Sequence, residues 1–177
     1  MTTPTFRPAK PCDLDAILDL YNQVFTAEEA GQTTSGWRRG LYPDQEIFTA
    51  ALDRGDLILE EAAGTLVGAA IINHQQNDYY ARAPWQIDAP PEKILVLHTF
   101  AIAPTARGHG YGRAMLDYFA HTARTQGCLA LRLDTSHRNH FALHLYEHFG
   151  FQRVAELPVH FDGMPEFHMV LFEKALD

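Results

Sequence analysis

The sequence predicts an α/β fold of the α+β mixed-sheet kind, a central mixed sheet with helices on both faces. Three observations carry this. Segments with apolar residues at helical spacing and short apolar runs follow one another in the order β-α-α-β-β-β-α-β-α-β-β. One run, "ILVLHTFAIAP", is apolar enough for a buried central strand and leads into a glycine-rich turn and a helix. The length, 177 residues with 46% hydrophobic and 20% charged, suits one domain with a real core and falls short of two. A single domain over 1–177 is therefore expected, without repeats or linkers.

In order, "PTFRPA" reads as a short strand. "DLDAILDLYNQVF" places Leu14, Ile17, Leu18, Tyr21 and Phe25 on one helical face, with Asp13 as its N-cap. After an irregular stretch, Asp44 caps "QEIFTAALDRG" and Gly55 ends it. "DLILEEAAGTLVGAAII" forms a hairpin about an Ala-Gly turn. Residues 73–93 lack a period and carry three prolines, and a loop of that length in a compact domain is more often functional than idle. The central strand and glycine turn open a helix with Met115, Leu116, Phe119, Ala120 and Ala123 on one face, stopped by Gly127. "LALRLDTS" is a strand, and "NHFALHLYEHFG" a helix grouping Ala142, Leu145, Tyr146 and Phe149. "FQRVAELPVHF" and "PEFHMVLFEKAL" close the chain as two antiparallel neighbours.

Composition excludes some functions. A net charge of −8 argues against binding nucleic acid through phosphate contacts and mildly favours a cationic substrate. Cys12 and Cys128 make no disulfide framework and read as reduced structural thiols. No stretch reaches transmembrane length, the N-terminus lacks a signal-peptide pattern, and "FEKALD" is no lipidation signal. A cytoplasmic protein that does not engage a membrane is expected. His140, His144 and His148 recur every four residues, but on the face away from the apolar one. They read as a solvated stripe, and no metal is expected.

The chemistry concentrates in "ARGHGYGRAML". Amides at a helix N-terminus are unpaired donors at the positive end of the dipole, and glycine lets a phosphate approach them. Arg107 and Arg113 could add charge-assisted bonds. The dinucleotide pattern GxGxxG fails at Arg113, and no GK[ST] is present. R-x-x-G-x-G fits through Arg107, Gly110 and Gly112. On the turn alone, a phosphate cradle and a closely packed strand-to-helix turn both stand.

"LHTFAIAPTARGHGYGRAML" followed by "NHFALHLYEHFGF" resembles the GCN5-related N-acetyltransferase (GNAT) superfamily. The first stretch is similar to its acetyl-CoA signature. In the second, Asn139, Ala142, Leu145, Tyr146, Gly150 and Phe151 meet N-x-x-A-x-x-L-Y-x-x-x-G-F at every fixed position. The resemblance covers nearly the whole chain and implies the GNAT-like acyl-CoA N-acyltransferase fold. It also implies an acetyl-CoA-dependent N-acetyltransferase in which an amine attacks the thioester directly in a ternary complex. It implies that Arg107, Gly108, His109, Gly110, Tyr111, Gly112 and Arg113 cradle the pyrophosphate. The backbone of Phe100, Ala101 and Ile102 would hold the pantetheine and thioester, Asn139 would help hold the cofactor, and Tyr146 would bind it and serve the leaving thiolate.

Many family members carry a glutamate base where this chain has Val96. His98 lies where arylalkylamine acetyltransferases carry a functional histidine, and a reference pKa near 6.5 suits a base. A core histidine with a satisfied hydrogen bond is the other reading. "GWRRGLYP" and "YYARAPWQ" resemble features of a bacterial subgroup of small acetyltransferases. Trp37, Tyr42, Tyr79, Tyr80 and Trp85 would then wall the acceptor cleft, or else pack long loops onto the core. His160, Asp162 and Glu166 border the same cleft by resemblance. The acceptor expected is a small-molecule primary amine. A protein or peptide amine and a non-catalytic acetyl-CoA-binding domain are the alternatives, and a homodimer is implied by the relatives.

Overall fold

In the computed structural model, which describes residues 3–177, the chain runs β1 (Thr5–Pro8), α1 (Leu14–Glu29), α2 (Gln45–Arg54), β2 (Leu57–Ala62), β3 (Thr65–Asn73), β4 (Ile94–Ile102), α3 (Tyr111–Thr125), β5 (Ala130–Ser136), α4 (His140–Phe149), β6 (Gln152–Val159) and β7 (Phe167–Ala175). This is the order the sequence predicts. The sheet has seven strands in the order β1-β2-β3-β4-β5-β7-β6. It is mixed: β4 and β5 run parallel, whereas β1–β2, β2–β3, β5–β7 and β6–β7 are antiparallel.

The chain divides into two compact units. One holds the chain up to Thr33, Trp37–Ile72 and Thr99–Tyr118; the other holds Thr34–Gly36, Asn73–His98 and Phe119–Asp177. Two elements belong to both, β4 changing unit after His98 and α3 after Tyr118.

In the first unit, Ile17, Leu20, Tyr21, Val24 and Phe25 of α1 and Phe48 of α2 meet Leu57, Leu59, Ala69 and Ile71 of the hairpin in one core. The caps of α2 are as expected: Asp44 accepts from the Ile47 amide at 3.0 Å, and Gly55 ends the helix at φ +75°. The β2–β3 turn places Ala63 at φ 49° and Gly64 at φ 76°, the paired positive values that suit a two-residue hairpin.

Across the strands from that core, Phe6 of β1 stacks on Tyr118 of α3 at 4.6 Å, so helices cover both faces of this unit. Glu60, the register partner of Phe6, shares the α3 face. It is fully buried, and neither carboxyl oxygen has a partner among the described residues. Burial pushes its pKa up to about 8. Gly68 stands opposite. A Cβ there would lie 2.6 Å from Ile102 Cδ1 and 2.9 Å from Glu60 Oε2, so the glycine is what admits the carboxyl.

Asp13 does not cap α1. It closes a 3-10 turn (Pro11–Asp13), accepting from the Lys10 amide at 2.7 Å and from two Arg7 guanidinium nitrogens at 2.7 and 3.0 Å. This pairing takes the carboxylate from the cap and holds its pKa at about 2.

In the second unit, β4 and β5 pair from Ile94↔Ala130 to Leu97↔Leu133. One face of these strands carries Ile94 and Val96, which pack with Leu171 of β7 and Tyr80 from the 73–93 segment. On β7, Phe172 meets Tyr146 of α4 at 5.7 Å. The buried face of α4 is Ala142, Leu143 and Tyr146, with the expected Leu145 and Phe149 only half-buried. That corrects the expected face by a rotation toward Leu143. Cys128 is buried, whereas Cys12 is exposed. His144 and His148 lie ring against ring, 3.8 Å apart, on exposed α4 surface. Among the described residues, no group of three or more His, Cys, Asp or Glu side chains is placed to hold a metal ion. No helix among them is long and apolar enough to cross a membrane.

Candidate active site

The first unit supplies the glycine turn. The Ala103 amide bonds to the Val67 carbonyl at 2.8 Å, fixing the exit of β4. A 3-10 turn over Pro104–Ala106 follows, and Arg107 is extended. Gly108 and Gly110 then take φ values of +79° and +84°, conformations that residues with a Cβ rarely adopt. A Cβ built on either glycine would meet nothing within 4 Å, so the backbone here faces open space. The first bond of α3 runs from the Ala114 amide to the Gly110 carbonyl at 3.0 Å, which leaves the Tyr111 and Gly112 amides with no carbonyl one turn back. His109 turns its Nδ1 to the Arg107 and Ala106 carbonyls at 2.9 and 3.2 Å, so that nitrogen carries the proton. Arg107 is half-buried, and burial lowers its pKa against the opposing pull of Glu28. Arg113 is exposed, with Asp117 one turn on at 3.5 Å. Open glycine backbone, first-turn amides without an intrahelical carbonyl among the described residues, and a partly desolvated arginine fit a pyrophosphate.

Upstream on β4 are Phe100, Ala101 and Ile102, of which Ala101 is buried. Thr99 precedes them at φ 47°, a positive value on a β-branched residue inside a strand. Its carbonyl accepts from the Tyr21 hydroxyl. Trp37 packs on Tyr21 with ring centroids 5.7 Å apart, and Tyr42 is half-buried in the same unit.

The second unit gathers the titratable groups. His98 is the next residue of β4 after the last registered pair with β5. Its Nε2 lies 3.0 Å from the Gln75 carbonyl and 3.1 Å from Asn73 Oδ1. A carbonyl can only accept, so Nε2 carries the proton, and in the neutral ring the lone pair is on Nδ1. Asp134 of β5 accepts from the Tyr79 hydroxyl at 2.7 Å and Asn77 Nδ2 at 3.1 Å. Burial raises its pKa, while the hydrogen bonds of Tyr79, Tyr80 and Asn77 and the charge of His98 pull it back. Tyr146 is buried, and burial together with the Asp134 charge holds its hydroxyl well above the ordinary tyrosine range. Asn139 caps α4, accepting from the Ala142 amide at 3.2 Å and donating to Thr135 Oγ1 at 3.2 Å.

Tyr80 and Trp85 are built into packing: the Trp85 indole donates to the Tyr80 carbonyl at 2.8 Å, and the two rings lie 5.1 Å apart. The segment that carries them is pinned by a buried pair, Arg132 to Glu173 at 2.9 Å. Arg132 also donates to Gln76 Oε1 at 2.6 Å and the Ile87 carbonyl at 2.9 Å, and lies 4.0 Å over the Trp85 ring. Glu173 accepts from the Gln86 and Ile87 amides at 2.8 and 3.0 Å. His160 is exposed and paired with Glu166 at 2.7 Å, and Asp162 is exposed.

Sequence reasoning missed Asp134, Thr99 and the Arg132–Glu173 pin. Two charged residues, Arg132 and Asp134, on one face of an otherwise apolar strand were the available signal for the first and last. Nothing in the sequence announces the backbone at Thr99.

A sequence model of the Acetyltransferase (GNAT) family matches residues 14–151. No curated protein matches the chain. Among solved structures, a GNAT-family acetyltransferase from Streptococcus agalactiae superposes with a TM-score of 0.81 at 21% identity, covering 98% of this chain and 96% of that one. The yncA protein of Salmonella typhimurium, solved with its cofactor acetyl-CoA, gives 0.70 at 19% identity, covering 99% and 95%. Ribosomal-protein-alanine N-acetyltransferase from Brucella melitensis gives 0.72 at 22%, covering 97% and 99%. At these identities the likeness is one of fold, whereas the family match spans most of the chain and both signature stretches. This chain belongs to the acetyltransferase (GNAT) family, acyltransferases that take their acetyl group from acetyl-CoA.

Proposed function

We propose that the chain acts as a single N-acetyltransferase domain that acetylates a primary amine of a small molecule by direct attack in a ternary complex. The observation that carries this reading is the glycine turn, where Gly108 and Gly110 leave backbone open beside the first amides of α3. Arg107, Gly108, His109, Gly110, Tyr111, Gly112 and Arg113 hold the pyrophosphate, and the backbone of Phe100, Ala101 and Ile102 holds the pantetheine and acyl group. Bound acetyl-CoA supplies an acetyl group activated as a thioester.

His98 acts as the base. With Nε2 committed to Gln75, the proton of the acceptor ammonium goes to Nδ1, directly or through water. Tyr146 keeps its hydroxyl proton at every working pH, which makes it a hydrogen-bond donor for the sulfur end of the reaction rather than a proton reservoir. Asn139 holds α4 in place and assists the cofactor. Asp134, half-buried and interacting with the charge of His98, adds acidic character there that favours a cationic acceptor.

A small amine is favoured over a peptide by the net charge of −8 and the aromatic residues Trp37, Tyr42, Tyr79, Tyr80 and Trp85, with His160 at the rim. A cytoplasmic location, a homodimer and the absence of membrane or nucleic-acid partners complete the proposal. The test is CoA thiol release from acetyl-CoA over polyamines, arylalkylamines, aminoglycosides, amino acids and N-terminal peptides, with initial velocities at varied concentrations of both substrates. Turnover with a small amine and intersecting velocity lines are expected. Turnover with peptides alone would overturn the acceptor class, and parallel lines would overturn direct attack. Light scattering checks the dimer.

A further inference from the structure

We propose that Tyr21 is a positioning residue for acetyl transfer: its hydroxyl, donating to the Thr99 carbonyl, fixes the left-handed turn of β4 that presents the amides of Phe100, Ala101 and Ile102 to the acyl donor. The proposal rests on the reading above that those amides hold the donor.

Thr99 is an unlikely place for such a turn. A β-branched residue at φ 47° is strained, and strain persists only where surrounding structure over-determines it. The threonine side chain does not compensate, because its buried hydroxyl has no partner among the described residues. What grips the residue is its carbonyl. Tyr21 is 1% exposed and its ring packs against Phe48 at 4.3 Å and Trp37 at 5.7 Å, so it is held in place. Burial raises its pKa far above the working range, and the hydroxyl stays a donor. The far end of the same stretch is fixed by the Ala103 amide on the Val67 carbonyl at 2.8 Å. The peptides from Thr99 to Ala103 are thus pinned at both ends, one pin coming from α1. None of the catalytic roles assigned above uses Tyr21. Its effect on the reaction passes through the orientation of three amides, and donors aimed at developing charge lose most of their value when misaligned.

The test is a mutant cycle read by kinetics and by NMR of the free protein. Y21F keeps the ring and removes the hydroxyl. It is expected to lower kcat about tenfold, with KM for acetyl-CoA changed less than about twofold, and to alter the Thr99 HN–Hα coupling that reports φ. In a T99G background the turn needs no lock, because glycine takes positive φ freely, and Y21F is then expected to cost less than about twofold. In a T99A background, which loses the hydroxyl but keeps the Cβ, the full loss should return. T99N, which also tolerates the left-handed region, replaces T99G should glycine loosen the strand. Equal losses from Y21F in T99G and T99A would overturn the proposal, as would an unchanged coupling and kcat in Y21F. Failure of the wild-type protein to bind acetyl-CoA would instead sink the assignment of Phe100–Ile102, while the coupling still answers for Tyr21.

Discussion

The Tyr79 hydroxyl donates to Asp134 at 2.7 Å, so a residue of the irregular 73–93 segment satisfies a half-buried carboxyl group on a central strand. Asn77, two residues earlier, gives the same oxygen a second bond at 3.1 Å. Burial pushes the Asp134 pKa up and these donors pull it down. Y79F is therefore expected to move the Asp134 titration to higher pH and to lower stability by about 1 kcal/mol. Carbon-13 NMR of the Asp134 carboxyl as a function of pH checks the first, and urea unfolding the second.

Replacing His98 by glutamine leaves a side chain that can still donate to the Gln75 carbonyl but cannot accept a proton at neutral pH. H98Q is expected to lower kcat by roughly 10²–10³ with little change in the thermal midpoint, and to remove the acidic limb of the pH–rate profile. A full-speed variant with an intact limb would assign the base elsewhere.

Gly110 takes φ +84° with nothing within 4 Å of a built Cβ, so a substitution meets strain rather than a clash. G110V is expected to cost about 1–3 kcal/mol of stability. G110N, tolerant of that conformation, should keep nearly all of it. Both place side-chain atoms over backbone proposed to face phosphate. Each should weaken CoA and acetyl-CoA at least about tenfold by calorimetry, through the loss of close backbone approach. Unchanged affinity in G110N would remove the phosphate cradle.

Glu60 gives a pH signature of its own. Its pKa is near 8 when folded against an ordinary 4.5, so between those values the folded state holds a proton that the unfolded state has released. Stability falls as pH rises through that window, by up to about 1.4 kcal/mol per pH unit, and the full penalty is in place above pH 8. E60Q should flatten this dependence, which urea midpoints from pH 5 to 9 would show. A slope unchanged in E60Q would mean that another group carries it.

Local signals made the fold readable. Helical spacing found α1 and α3, Asp44 and Gly55 bracketed α2, and the Ala63–Gly64 turn marked the hairpin, because each depends on residues within a turn of one another. Asp13 misled for the opposite reason: a salt bridge to Arg7 outranks the cap, and a single-residue signal cannot weigh it. In the candidate site, the glycine turn, His98, Asn139 and Tyr146 were legible as types at fixed spacing. The partners of His98 and Asp134 were not. Asn73, Gln75, Asn77 and Tyr79 belong to a segment without a period, laid down by contacts from strands 23 to 87 residues later in the chain. Residue type also says nothing of the φ at Thr99, which is imposed from α1.

Arg132 and Glu173 hold the 73–93 segment at Gln76 at one end and at Gln86 and Ile87 at the other. A span tethered so close to both ends behaves like a cassette. Its foundations are paid for by two charges on the sheet, and the residues between them are released from the task of closing the loop. Within it Tyr80 and Trp85, packed with Ile94, Val96 and Leu171, and Tyr79, bonded to Asp134, stay tied to the strands beneath. The exposed positions 78, 81, 82 and 84 can be rewritten while the anchoring pair stays as it is, which is where the proposed acceptor preference has room to change.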